Sequence, residues 1–484
     1  MHTNQVYSEL VTVHNGSHKW WHRRWFKIIG IFVIILIVFG VVLALVLNFV
    51  VFAPKKLETS TIATTSSSSS PLTTTIPIPS SLTTTISTTP TVTSTTTVPR
   101  TVTTTPLVVS TTILPQTATM TPPLTSTTTL PPTTVTTTTQ QPEWSVTGNM
   151  NTARVYHTAS VLPNGKVLVT GGNHGSTDFF NITELYDPTT RTWTITGSMI
   201  NGRYDHTASV LSNGKVLVTG GDSWGGYLNK AELYDPSTSA WTTTGNMTNG
   251  RAGHAASVLS NGNVLVTGGW NGGYLNSAEL YDPSTSAWTT TGNMTKGRAG
   301  HATSVLSNGK VLATGGQDNS GNIFNNAELY DPSTDTWTIT SNMSDERYRH
   351  TASVLSNGKV LVIGGMRLDS NVYSTVYSAE LYDPSTSTWT TTGNMTKGRA
   401  GHAASVLSNG LLLATGGYDN DYLNIAELYD PSTGTWTTTG NMTNARDYHT
   451  ASILSNGNVL VTGGMGIGNI ALDSAELYEL FETN

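Results

Sequence analysis

Seven histidines recur at a fixed place in this chain, from His157 to His449, each three residues beyond an arginine of the series Arg154 to Arg446. Both residue types can catalyse or bind. A residue present in seven equivalent copies cannot mark one active site, however, and these read as structural. A glutamate recurs in the same way, within a repeated Glu-Leu-Tyr: Glu184, Glu232, Glu279, Glu328, Glu380, Glu427 and Glu476. Arginine and glutamate fall on connections at the same end of a four-stranded unit, which suggests seven buried ion pairs, costly if broken. Asp318-Asn319-Ser320 and Asp419-Asn420-Asp421 carry oxygen ligands of the calcium-binding kind without a full set, and read as solvated loops. The chain has no cysteine, which removes disulfides, thiolate metal sites and cysteine nucleophiles together. No unique acid–base or nucleophile constellation stands out, and no cofactor or metal is expected.

The elements that would position these residues follow from the repeat. Tryptophans at 144, 193, 241, 288, 337, 389 and 436 are spaced by 47 to 52 residues, and each precedes one of the arginines by ten. In the first unit His157–Leu162 and Lys166–Thr170 are rich in β-forming residues, and short apolar runs between turns read as strands buried on both faces. Asn164-Gly165 between them predicts a type I′ hairpin. Gly171-Gly172 ends the second strand where close backbone approach or positive φ requires glycine. Ile182–Asp187 and the segment around Trp193 supply the third and fourth strands, which are lettered a to d from the centre outwards. The first tryptophan strand precedes the first complete unit, and the last unit ends at Tyr478-Glu479-Leu480 without one. Trp144–Met150 is therefore expected to be strand d of the last unit, closing a ring and removing an exposed edge.

With its double glycine and its Tyr and Trp at fixed separation, residues 143–484 resemble the kelch repeat family, whose period is about 50 residues. The resemblance implies an all-β, seven-bladed β-propeller with one four-stranded blade per repeat. The same architecture serves galactose-oxidase and glyoxal-oxidase enzymes, whose chemistry uses copper and a cross-linked Tyr–Cys cofactor. That cofactor cannot form without cysteine, so a degenerate enzyme of this kind is the least favoured reading.

The preceding residues have different physics. Residues 1–27 read as a cytoplasmic tail, in which Tyr7-Ser8-Glu9-Leu10 resembles a tyrosine-based sorting motif. Residues 28–52 carry no charge and exceed the roughly 20 apolar residues that span a bilayer, so they read as one transmembrane signal anchor. Four basic residues before the segment against two after it predict a cytoplasmic N-terminus. Residues 53–142 form a Ser/Thr/Pro-rich segment that cannot bury enough apolar area to fold, and resemble a mucin-like stalk.

These parts give a single-pass type II plasma-membrane protein displaying an extracellular propeller that binds a protein or carbohydrate. The alternative is a glycosylated surface coat without a specific ligand. Residues 143–484 hold 17 basic and 28 acidic residues, which argues against nucleic acid and favours a basic or carbohydrate partner. The ligand face is expected where the blades differ. The residues two beyond each arginine include Tyr156, Asp205, Arg349 and Tyr448, and the b-to-c loops add Trp224, Tyr227, Trp270, Tyr274, Arg367, Tyr418, Asp419 and Asp421. N-glycosylation sequons lie at Asn181, Asn246, Asn293, Asn342, Asn394 and Asn441. Protease treatment of intact cells should release the propeller and leave a small membrane stub; protection that is lost only on permeabilisation would reverse the predicted orientation.

Overall fold

Val-Leu-Val-Thr and its variants form the second strand of every unit, and all four residues are buried in each copy. β-branched and leucine side chains on both faces demand apolar neighbours on both sides, and only a strand inside a stack of sheets provides them. A computed structural model describes residues 143–175 and 178–480. The expected tail with its Tyr7–Leu10 motif, the membrane anchor and the stalk lie outside the described residues.

The described chain forms seven four-stranded antiparallel sheets. In the first blade strands a to d are Thr158–Val161, Val167–Thr170, Thr183–Asp187 and Thr192–Ile195. The innermost strand of each blade packs against those of both neighbours, and the seventh returns to the first. An apolar cluster fills each gap between blades. Leu162, Leu168 and Met199 of the first blade, for example, meet Val216, Val218, Tyr234 and Trp241 of the second. Each such fully buried aliphatic side chain contributes roughly 1.5–3 kcal/mol.

The ring closes as the tryptophan count requires. Glu143–Val146 pairs with Ala475–Glu479, placing Trp144 opposite Tyr478 as Trp193 stands opposite Tyr186. The closing strand is shorter than expected. Beyond it Thr147 and Met150 still donate to the Ala475 and Asp473 carbonyls, while the Gly148 carbonyl accepts the Trp193 indole N–H of the next blade at 2.7 Å. The a-to-b turn also differs from expectation. Gly165 has φ +80° while Asn164 is not left-handed, and the Gly165 N–H bonds the Leu162 carbonyl at 2.9 Å. This is a type I turn closed by a left-handed glycine, not type I′. The Asn164 side chain accepts the Lys166 N–H at 3.1 Å, which explains its recurrence without positive φ.

All seven arginine–glutamate pairs form, between side chains 0–1% exposed. The Nη2···Oε1 distance is 2.5 Å in Arg154–Glu184 and 2.9 Å in Arg347–Glu380. Arg154 Nη1 also donates to the carbonyls of Gly171 and Ile182, and Glu184 accepts the N–H groups of Asn151 and Thr152 on the incoming connection. The Arg203 carbonyl accepts the Gly172 N–H of the preceding blade at 2.9 Å. Each arginine therefore fixes its own connection, its own double glycine and its neighbour's.

The histidines join blades. His206 Nε2 bonds the hydroxyls of Thr158 and Thr170 on the preceding blade at 3.0 and 3.1 Å, and His157 reaches Thr450 and Thr462 across the closing seam. Burial, reinforced by the neighbouring arginines, lowers their pKa, to about 3 for His157, His254 and His350. The other four are lowered as well, again mainly by burial. The folded ring thus holds neutral imidazoles, whereas the unfolded chain takes up protons near pH 6.5. This contribution to stability is complete above that pH and is lost as pH falls toward 3, at about 1.4 kcal/mol per histidine per pH unit. Stability should fall steeply below about pH 6, and His301→Gln should reduce the slope by about one proton. A melting temperature that stays flat between about pH 7 and pH 4 would refute this linkage.

Candidate functional site: the mouth of the central channel

Beyond each buried arginine the chain reaches the axis, and two residues on it adopts left-handed backbone. The φ values are +56° at Tyr156, +51° at Asp205, +58° at Arg349 and +47° at Tyr448, with +59° to +62° at Gly253, Gly300 and Gly401. These seven residues form a belt. The N–H of Asp205 bonds the carbonyl of Tyr156, and the same link runs through Gly253, Gly300, Arg349 and Gly401 to Tyr448, at 2.8–3.3 Å. Left-handed backbone costs a non-glycine residue roughly 1–2 kcal/mol. Four of the seven connections that converge here carry that strain.

Their side chains fill the mouth unevenly. Tyr156 and Tyr448 lie 4.4 Å apart between ring centroids, and Tyr204 is 5.9 Å from Tyr156. The Arg349 guanidinium carbon sits 4.7 Å from the Tyr448 ring and 5.0 Å from the Tyr348 ring. Burial pulls the Arg349 pKa down, but Tyr348, Tyr156 and Asp205 outweigh it and hold it above the ordinary value. Burial pushes Asp205 up to about 6, with Arg349 opposing and Asp222 adding to the shift. It pushes Asp447 up to about 8, again against the pull of Arg349. The glycines make room. A Cβ on Gly300 would stand 2.3 Å from Cε2 of Tyr348, and one on Gly401 3.2 Å from Cε1 of Tyr448, whereas Gly253 has only the Ala299 Cβ, at 4.0 Å.

The b-to-c loops surround the mouth and link laterally. Trp270 Nε1 donates to the Tyr227 hydroxyl at 2.7 Å, Tyr274 Oη reaches Gln317 at 3.4 Å, and Gln317 Nε2 donates to Tyr373 at 2.8 Å. Further round, Thr375 donates to Asp419, and Tyr422 to Asn469, each at 2.5 Å. Phe179 bridges Tyr204 and Trp224, with centroids 5.5 and 5.6 Å away.

Of the expected ligand-face residues, the structure brings Tyr156, Asp205, Arg349 and Tyr448 together and sets Tyr227, Trp270 and Tyr274 in neighbouring loops. Trp224 stands 72% exposed at a hairpin tip. Arg367 is tied to Asp345 and Asp369 at 3.0 and 2.8 Å. Tyr418 packs edge-on against Tyr422, and Asp421 accepts the Tyr422 N–H. Asp318 caps Ser320 and Asn322 within its own loop. Among the described residues no cluster of three or more His, Asp or Glu is arranged to hold a metal.

Sequence reasoning missed Asp447, Tyr204 and Tyr348. All three directly follow the repeated arginine, where three other blades have alanine, as in Arg251-Ala252-Gly253-His254. Departures from Arg-Ala-Gly-His in four blades were the available signal. The sequons divide. Asn246, Asn293, Asn342, Asn394 and Asn441 are exposed, each followed by a buried methionine. Asn181 instead donates its amide to the Met199 carbonyl at 3.0 Å, as Asn229 does to Met247. Its sequon threonine, Thr183, is fully buried.

Seven four-stranded blades, the double glycines and the tyrosine–tryptophan pairs define a kelch-type β-propeller, and a Kelch motif model matches residues 154–200. A model described as the Attractin/LZTR1 beta-propeller matches residues 181–426, just over half of the chain, and the chain belongs to that family. A comparison with curated proteins gave no match. Among solved structures the chain is similar to a fungal alcohol oxidase of the AA5 family in complex with copper, at 22% identity and a TM-score of 0.60. The alignment covers 71% of this chain and 78% of that one, and the likeness is one of fold. The mouth of this chain does not fit a copper ion. It presents a guanidinium among tyrosines and aspartates, and the seven histidines lie between blades.

The glycine geometry gives a test of the packing. Gly253→Ala and Gly300→Ala share the cost of left-handed backbone, but only the second displaces Tyr348 and with it Arg349. Gly300→Ala should be the more destabilising by roughly 1–3 kcal/mol in denaturant unfolding. Equal losses would show that Tyr348 does not pack on Gly300.

Proposed function

We propose that the propeller is a non-catalytic binding module whose ligand face is the mouth and its surrounding b-to-c loops. The observation that carries this reading is the asymmetry of the connections. Elsewhere the blades are near copies, but four of seven connections bring Tyr, Asp or Arg to one mouth in strained backbone. Tyr, Trp and Arg dominate the energetics of recognition surfaces. The module is held at the plasma membrane by the 28–52 anchor, with the propeller outside the cell and residues 53–142 as spacer. Its ligand is a protein or a carbohydrate. The five exposed sequons would carry glycans on the outer rim of blades two to six, leaving approach freest over blades seven and one.

Glycan arrays and affinity capture with the full-length chain test the reading. Reproducible hits should be lost with Tyr156→Ala, Arg349→Ala and Tyr448→Ala combined, in a variant that still unfolds cooperatively, and weakened by the surface change Trp224→Ala. Binding that survives both variants places the ligand site elsewhere. The absence of any reproducible partner favours a glycosylated coat.

A further inference from the structure

Asp447 is out of keeping with its ring position. The residues in the same place on the other six blades are Val155, Tyr204, Ala252, Ala299, Tyr348 and Ala400. Asp447 is 7% exposed, and its Oδ1 is enclosed without a hydrogen-bond partner. An enclosed carboxylate oxygen without a donor is costly in a fold that otherwise satisfies its buried acids. Each glutamate of the repeat, by contrast, accepts both from its arginine and from backbone N–H groups. Asp447 acts electrostatically on Tyr156 and Tyr422 and is acted on by Arg349. Directly preceding Tyr448 of the left-handed belt, it belongs to the wall of the mouth.

Charge and aromatic surface complete the argument. Asp205 and Asp447 both lie under the influence of the Arg349 guanidinium, which is stacked on Tyr348 and Tyr448, and Asp222 adds its charge beside Asp205. Tyr204 donates to Asp222 at 3.0 Å. Burial raises the pKa of Tyr156, Tyr204 and Tyr274, so their phenols add no negative charge at neutral pH but do offer aromatic surface. Two enclosed carboxyl groups around one guanidinium and a wall of tyrosine rings make an environment that attracts a second organic cation, through charge and through the ring faces.

We propose that the channel mouth is a subsite for an ammonium group, such as a lysine side chain presented by a protein partner, held between Asp447, Asp205 and the tyrosine rings. This rests on the reading of the mouth as the ligand face and names the chemistry that it takes. The groups that face Asp447 are Arg349, Tyr156 and Tyr422. Those that face Asp205 are Arg349, Asp222, Tyr156 and Tyr204. A bound ammonium favours the ionised carboxylates, so affinity should rise with pH across about 6 to 8, through the values of Asp205 and Asp447.

The test uses the full-length chain and a Gly-Lys-Gly peptide, its Nε-acetylated twin, a Gly-Glu-Gly peptide and choline, with binding read by saturation-transfer NMR. The lysine peptide should bind, more tightly at pH 8.5 than at 5.5, and acetylation should abolish binding. Asp447→Asn should weaken binding roughly tenfold and flatten the upper part of the pH profile, while leaving the melting temperature unchanged or raised. Choline binding in place of lysine would keep the cation subsite and change its source from a protein to a free quaternary amine or headgroup. Equal binding of the acetylated twin, preference for Gly-Glu-Gly, or an undiminished Asp447→Asn variant would overturn the proposal. If a neutral ligand found on arrays still depends on Tyr156 and Arg349 while every ammonium probe fails, the subsite falls and the ligand face stands.

Discussion

The buried arginine is the constraint on which the rest of this propeller depends. A guanidinium shut away from water must have its charge opposed and its donors met, because an uncompensated buried charge costs several kcal/mol. Arg154 meets that demand with Glu184 of the third strand, the carbonyl of Gly171 at the end of the second, and that of Ile182. One side chain thereby fixes the spacing of two strands and the entry path of the chain. Satisfaction is incomplete, since Nε of Arg251, Arg298, Arg347, Arg399 and Arg446 has no partner. In Arg154 and Arg203 it reaches a carbonyl only at 3.4 Å. Replacing one member of a pair would leave a buried charge alone, whereas replacing both by apolar residues need not be costly. The sevenfold repetition of the pair serves register more than it adds net stability.

That anchoring explains how a nearly uniform scaffold supports a non-uniform site. Once the arginine and histidine are tied down on either side, the two residues between them have nowhere to go but the axis. Their backbone is fixed by the belt of N–H···O bonds, and their side chains are the only free variable. The glycines of blades four and six, Gly300 and Gly401, leave the space that Tyr348 and Tyr448 occupy. A large side chain at one position is possible because its neighbour is small, so the mouth is built from complementary departures rather than from independent ones.

Much of this was legible in the sequence, for physical reasons. Strand number, ring closure and the Arg–Glu pairing follow from counting and from which connections share a face, and a sevenfold repeat makes each inference seven times over. The a-to-b turn was misread because Asn-Gly serves two turn types, and here the asparagine side chain rather than its φ does the work. Asn181 matches a glycosylation sequence, yet only its equivalence to Asn229 and Asn276, whose amides also bond a methionine carbonyl, reveals a structural role. Asp447 shows in the sequence only as one of four departures from Arg-Ala-Gly-His, and nothing local distinguishes a solvated aspartate from an enclosed one. Its meaning comes from Arg349, Tyr156 and Tyr422, on three other parts of the ring.

The closing pair has a temporal consequence. Ser145 bonds Glu479 at 2.8 Å across 334 residues of sequence. At about 5–20 residues per second on the ribosome, the outer strand of the last blade emerges on the order of tens of seconds before its partner exists. The six blades between can form in order from contacts close in sequence, while Trp144 waits unpaired. Folding is thus divided into a fast, sequential phase and one late ring-closing event of high contact order. Until that event the nascent propeller is an open arc with an unclosed edge at each end, and that interval is when it most needs protection from pairing with another chain.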